Sequence, residues 1–275
     1  MPVLWCNGEW ISTENLRISP TDRGILVGLS LFETILGVDG SPKFLDRHLE
    51  RLANACSRLG WQPPTGITEA ILRDLLGRNE LTTGHVRIRL TLTGGSGAIS
   101  DLTRGEDAAS WISAAPAGDF PETTTAGIST WKRNEFSPLA GLKCGSYAEN
   151  ILAYEDARKS GFEQPIFLNT SGHLCEAATS NVFLVRNGRL LTPPLDSGCL
   201  PGITRTVVMD LARQNGVSCE EIRLEKGDIE NADEIFLTSS IRGPVPVSRL
   251  DQRPFSGTPV GSAIQRWWKD AICAS

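Results

Sequence analysis

The sequence predicts an α+β protein of two domains: residues 1–118 form an N-terminal domain, 119–127 a linker, and 128–275 a second domain. Three observations predict it. The chain has 275 residues, 40% of them hydrophobic, which is material for one large or two ordinary cores. Its first part alternates strand-like and helix-like patterns instead of repeating one of them. Between Pro116 and Gly127 the wording changes to "PAGDFPETTTAG", rich in Pro, Gly and Thr and without a helical period, as an exposed connection would be.

Taken in order, "PVLWCNGEWIS" carries an Asn7-Gly8 turn and predicts a hairpin, because both residues tolerate the positive φ of a tight β-turn. "LSLFETILGVDGSPKFL" places two apolar runs on either side of Asp39-Gly40. "DRHLERLANACSRLG" has helical spacing and stops at Gly60; "ITEAILRDLLGRN" predicts a second helix. The strand-like "HVRIRLTLTGG" and "ASWISAAPA" complete the first domain. Beyond the linker come "GISTWKR", a helix through "AENILAYEDARKSG", and strands broken by turns at Ser171-Gly172 and Asn187-Gly188.

Composition narrows the partners. A net charge of −5 without a concentrated Lys/Arg patch argues against nucleic acid and leaves small molecules as the expected ligands. No apolar run reaches the length that spans a bilayer. "MPVLWCNGEW" lacks the basic start and apolar core of a secretory signal, so a cytoplasmic location is expected. The seven cysteines are scattered with no C-x-x-C spacing, and His48, His85 and His173 are far apart, so free thiols and no metal site are expected.

Four stretches carry chemistry. In "GLKCGSYAEN", Lys143 stands among small and apolar neighbours; burial lowers a lysine's pKa and turns the ammonium into a nucleophilic amine, although such a side chain can also run its stem along apolar surface to water. In "GHLCEAATSN", Glu176 needs a cationic or hydrogen-bonding partner, which an arginine or a cofactor could supply. In "CLPGITRTVVMDLARQNG", Pro201 and Gly202 lead into a helix with Thr204 in its first turn, where free N–H groups can hold a phosphate or simply be capped. In "DEIFLTSSIRGPVPV", a strand opens into Thr238, Ser239 and Ser240, an anion-binding cluster or a turn.

An amine for a Schiff base, a carboxylate for a pyridinium nitrogen and two neutral donor clusters for a phosphate are what pyridoxal 5'-phosphate requires. From "SPTDRGILVGLSLFETI" to "FLTSSIRGPVPV" the chain resembles the fold-type IV (class IV) pyridoxal-phosphate enzymes, which include branched-chain and D-amino-acid aminotransferases and 4-amino-4-deoxychorismate lyase. The resemblance implies a small N-terminal α/β domain, a larger C-terminal domain around a pseudo-barrel sheet, and a homodimer. It makes Lys143 the Schiff-base lysine and pairs Glu176 with the pyridine nitrogen. Leu200 would pack on the ring, and Gly202, Ile203, Thr204, Thr238, Ser239 and, in "RHLERL", Arg51 would hold the phosphate. Tyr147 would either hydrogen-bond the cofactor's phenolic oxygen or pack as an aromatic.

An aminotransferase acting on a small amino acid and a 2-oxo acid is the expected activity. The lyase, which releases pyruvate and 4-aminobenzoate, is the alternative, and a cofactor-binding protein without turnover is a third. "LFETI" and "SSIRGPVPV" look like the lyase, whereas "LTLTGGSGAISD" lacks the arginines that lyases often carry there. Arg242, or Arg89 and its neighbour Arg87, would bind a substrate carboxylate if they are not surface residues. Cys144, Cys175 and Cys199 each adjoin a proposed site residue, so either one thiol lies near the cofactor or all three fill a packed core.

Overall fold

The computed structural model describes residues 1–98, 100, 105–255 and 259–274. Ile99 and Asp101 of the loop "LTLTGGSGAISD" therefore lie outside the described residues. The chain divides into two compact units, one of Met1–Asp119 with Leu142–Tyr147, the other of Phe120–Gly141 with Ala148–Ser275.

The first unit contains β1 (Val3–Cys6), β2 (Glu9–Ser12), α1 (Arg23–Val27), β3 (Ser30–Val38), β4 (Ser41–Pro42), α2 (Leu45–Arg58), α3 (Glu69–Arg78), β5 (His85–Thr93) and β6 (Ser110–Pro116). Its six strands form an antiparallel sheet in the order β2-β1-β6-β5-β3-β4. The two turns read from sequence hold: Asn7 and Asp39 each have a φ of 47°, and Gly8 and Gly40 follow with positive φ. On α2 the buried residues Leu45, His48, Leu52, Ala55 and Cys56 recur at helical spacing, and Thr68 caps α3 by accepting the Ile71 N–H at 3.3 Å.

Leu142–Tyr147 follows the linker in sequence yet belongs to this first unit, because its backbone continues the sheet beside β3. Leu31 and Cys144 form an antiparallel bridge, Phe32 N–H donates to the Lys143 carbonyl at 2.9 Å, and Gly145 N–H donates to Ser30 O at 2.7 Å. Glycine is required at 145 by the close approach: a Cβ there would lie 2.0 Å from Ser30 Oγ.

The second unit contains β7 (Thr124–Arg133), α4 (Ala148–Lys159), β8 (Gln164–Asn169), β9 (Leu174–Ala177), β10 (Asn181–Arg186), β11 (Arg189–Thr192), α5 (Ile203–Gln214), β12 (Cys219–Glu221), α6 (Lys226–Glu230), β13 (Glu234–Ser239), β14 (Gly243–Leu250), β15 (Arg253–Pro254) and α7 (Pro259–Ala274). Within the stretch read as a linker, β7 begins at Thr124. The sheet runs β12-β11-β10-β13-β14-β7-β8-β9, with β15 on β14. A bridge between Glu176 of β9 and Asn181 of β10 closes six of these strands into a barrel.

Strands β10 and β13 of this barrel are apolar on both faces. Val182, Leu184, Ile235 and Leu237 face one cluster with Ala126, Ile166 and Val247, whereas Phe183, Val185 and Phe236 face Val208, Met209 and Ala212 of α5 and Ile264 of α7. The period of two thus distributes one strand's side chains between two cores. The sequence expectations contain no counterpart of α7, although Ile264, Trp268 and Ile272 recur at the four-residue spacing that buries them. No described helix is long and apolar enough to cross a membrane, and no metal-binding cluster occurs among the described residues.

Candidate active site

In the first unit the sequence-predicted residues gather around a side chain that sequence reasoning passed over, Phe32. The Lys143 ammonium lies 4.5 Å from the centre of the Phe32 ring, the Arg89 guanidinium 3.9 Å from it, and the Tyr147 ring meets it edge-on at 5.6 Å. Lys143 is half-buried, and the two main-chain hydrogen bonds to β3 fix its backbone beside that ring. Each cation–π contact contributes about 0.5–2 kcal/mol, enough to bias a long side chain toward one place. Tyr147 thus has the aromatic packing contact that was one of its two expected roles.

On the next residue, Glu33, the carboxylate is almost fully buried and binds two groups of α2. Arg51 donates from Nε to Oε1 at 2.9 Å and from Nη2 to Oε2 at 2.5 Å, and His48 Nδ1 lies 2.7 Å from Oε2. Burial alone would raise the carboxyl, but the Arg51 charge and the hydrogen bonds from His48 and Arg51 outweigh it and hold Glu33 at about 2. For His48 burial dominates and lowers its pKa, assisted by the positive charges of Arg51 and Lys143 and opposed by Glu33. The imidazole is therefore neutral at pH 7 and donates its Nδ1 proton to an ionised Glu33. Neither Glu33 nor His48 was expected at the site.

In the second unit the barrel-closing bridge places Glu176. Its Oε2 accepts the Leu200 N–H at 2.9 Å, the Leu200 carbonyl accepts from Asn181 Nδ2 at 2.8 Å, and Asn181 stands opposite both Glu176 and Thr238. Arg133 Nε lies 3.4 Å from Glu176 Oε1, an ion pair that lacks hydrogen-bond alignment. This is the arginine that the alternative reading of Glu176 required.

Gly202 is the N-cap of α5 and supplies no side-chain cap, while Ile203 and Thr204 are buried in its first turn. A Cβ at Gly202 would fall 2.0 Å from Asn181 Oδ1, so only glycine lets the helix start here without displacing the Asn181–Leu200 link. Thr238, also buried, has its Oγ1 without any hydrogen-bond partner among the described residues. An orphaned buried hydroxyl costs about 1–3 kcal/mol and calls for an acceptor or donor that the described residues do not supply. Ser239 Oγ accepts the Arg242 N–H at 3.4 Å, the turn-forming contact.

Glu176 and Thr238 are separated by one intervening strand, a span of roughly 10 Å at the usual strand spacing. That is about the reach of a pyridine ring with a phosphate arm. The uncapped N-terminus of the twelve-residue α5 carries partial positive charge, and the Thr238 hydroxyl lacks a partner; both fit an anion. Arg242, whose N–H bonds Ser239, lines a cavity of about 120 Å³ with Phe120, Trp268 and Lys269.

The model of the class IV amino-transferase family matches residues 30–250. The chain belongs to the class IV amino-transferase family. It is similar to the branched-chain-amino-acid aminotransferase of Escherichia coli strain K12, with 28% identity over 300 residues covering 98% of this chain and 97% of that one. The aminodeoxychorismate lyase of Bacillus subtilis strain 168 is 27% identical over 278 residues, covering 98% of this chain and 94% of that one. The fold matches a T.th. branched-chain amino acid aminotransferase solved with pyridoxamine 5'-phosphate, at a TM-score of 0.88 and 23% identity over 100% of this chain and 95% of that one. This class IV chain is thus an enzyme, and its barrel and two-unit layout are those the resemblance implied.

The cysteines beside the class IV site are core residues. Cys144, Cys175 and Cys199 are all buried, and Cys175 Sγ packs 4.0 Å from Ser197 Oγ. Burial, then the charge of Glu176, pushes the Cys175 thiol far above its ordinary value and that of Cys199 up to about 11. Alkylation with iodoacetamide at pH 8 is expected to label the exposed Cys273 first and to leave Cys175 and Cys199 unlabelled in both cofactor-free and cofactor-loaded protein. Peptide mass mapping reads the result; labelling at Cys175 or Cys199 that cofactor suppresses would instead put that thiol in contact with the ligand.

Proposed function

We propose that this class IV enzyme is a pyridoxal-phosphate-dependent aminotransferase that moves an amino group between a small amino acid and a 2-oxo acid. The observation that carries the reading is the placement of the Lys143 amine and the Arg89 guanidinium over one ring, an amine for the chemistry beside a planar fork for a carboxylate. Arg89 is therefore the preferred carboxylate ligand, and Arg242 the second.

When bound, the cofactor supplies an electrophilic carbonyl and a ring that accepts electrons. Lys143 would hold the cofactor through its amine, and that amine, once freed, would be the base that takes up and returns the substrate's α-proton. Glu176 would stand beside the ring nitrogen, where a carboxylate favours the protonated form. Leu200 packs on the ring. The first-turn N–H groups of Ile203 and Thr204, the Thr238 and Ser239 hydroxyls and Arg51 hold the phosphate, and Gly202 lets the helix begin close to it. Tyr147 packs on Phe32 and orients the lysine segment. A homodimer and a cytoplasmic location are part of the same proposal and rest on the family likeness.

The lyase is the second reading, favoured by the likeness to the Bacillus subtilis enzyme over nearly the whole chain. Mixing cofactor-loaded protein with a panel of L- and D-amino acids and a 2-oxo acid is expected to change the cofactor spectrum and yield the exchanged amino acid. Pyruvate released from aminodeoxychorismate with no oxo acid present selects the lyase, and no spectral response to any amine selects a binding protein without turnover.

A further inference from the structure

We infer that Glu33 and His48 are positioning residues that orient Arg51 toward the cofactor phosphate, an inference resting on the pyridoxal-phosphate reading above. Arg51 and His48 are three residues apart on α2 and so share a helical face, which meets Glu33 projecting from β3. The Arg51 guanidinium is gripped by both carboxylate oxygens, at 2.9 Å and 2.5 Å, through its Nε and Nη2. Two parallel bonds fix the plane of a fork that a single bond would leave free to rotate.

His48 completes the arrangement. It is 1% exposed and bonds the same Oε2 at 2.7 Å, so it stops the carboxylate from swinging about its own axis. Because it stays neutral next to Arg51 and Lys143, the single negative charge of Glu33 is directed to Arg51 alone. A pair kept only for stability could be replaced by apolar residues of similar volume at little cost. A pair kept for orientation changes what Arg51 can bind.

That difference is measurable with two ligands that differ by the phosphate. The full-length cofactor-free chain and its Glu33→Gln and His48→Asn variants are titrated with pyridoxal 5'-phosphate and with pyridoxal; borohydride then traps the adduct, and peptide mass mapping gives occupancy at position 143. Glu33→Gln is expected to raise the half-saturating concentration of the phosphorylated compound about 10–100-fold, the usual cost of losing a supporting partner, and that of pyridoxal by less than about threefold. His48→Asn, which leaves the Glu33–Arg51 pair in place, moves the same ratio in the same direction and decides the matter if Glu33→Gln does not fold. Equal weakening of both ligands, or weakening of neither, overturns the inference. Wild-type protein that takes up neither compound overturns the pyridoxal-phosphate reading itself, and this inference with it.

Discussion

The variant Lys143→Ala is expected to lose the borohydride-trapped adduct at position 143 entirely and to lower turnover by at least about 10²–10⁴-fold, the range for removing a positioned general base. The fold should survive. The bonds that seat this segment on β3 run through the Lys143 carbonyl and the Gly145 N–H, not through the side chain, and the neighbouring Cys144 supplies the buried apolar contact. What disappears is the amine over the Phe32 ring, leaving Arg89 and Tyr147 in their contacts. Melting temperature, adduct mapping and turnover are read on the same preparation. A wild-type adduct at another lysine, or a variant that still turns over at the wild-type rate, would move the chemistry away from Lys143.

The residues that sequence reasoning found are those whose chemistry contradicts their surroundings. Lys143 and Glu176 stand out as charges in apolar wording, and Asn7-Gly8 and Asp39-Gly40 as turns that need positive φ, because these signals are local. Phe32 and Glu33 are hidden in "LFETI", where an aromatic and a carboxylate read as ordinary strand positions. Nothing local marks Glu33 as buried; its partners come from α2, and only the register of helix on sheet brings His48 and Arg51 to it. The barrel was implied by the family likeness, but its closure depends on one bridge, Glu176 to Asn181, that no periodicity encodes. Likewise the orphaned Thr238 hydroxyl is a property of packing, since three hydroxyl residues in a row read equally well as a turn.

Glu176→Gln separates the two roles that Glu176 was expected to fill. The amide keeps the size of the side chain and one acceptor for the Leu200 N–H, so the Asn181–Leu200 link and the barrel closure should persist. It removes the charge. A carboxylate within a few ångströms shifts the pKa of a basic partner by about 1–3 units, so losing it lowers the protonated fraction of the ring nitrogen, and with it turnover, by roughly 10–10³-fold. Cofactor uptake, governed at the phosphate end, should change far less. If Glu176 serves only Arg133, the same variant leaves turnover intact and lowers the melting temperature, because Arg133, with little side-chain exposure, then keeps only its pair with the exposed Glu149 and its bond to Asn150. A large fall in turnover at unchanged adduct occupancy therefore assigns the carboxylate to the cofactor ring, and a stability loss at unchanged turnover assigns it to the arginine.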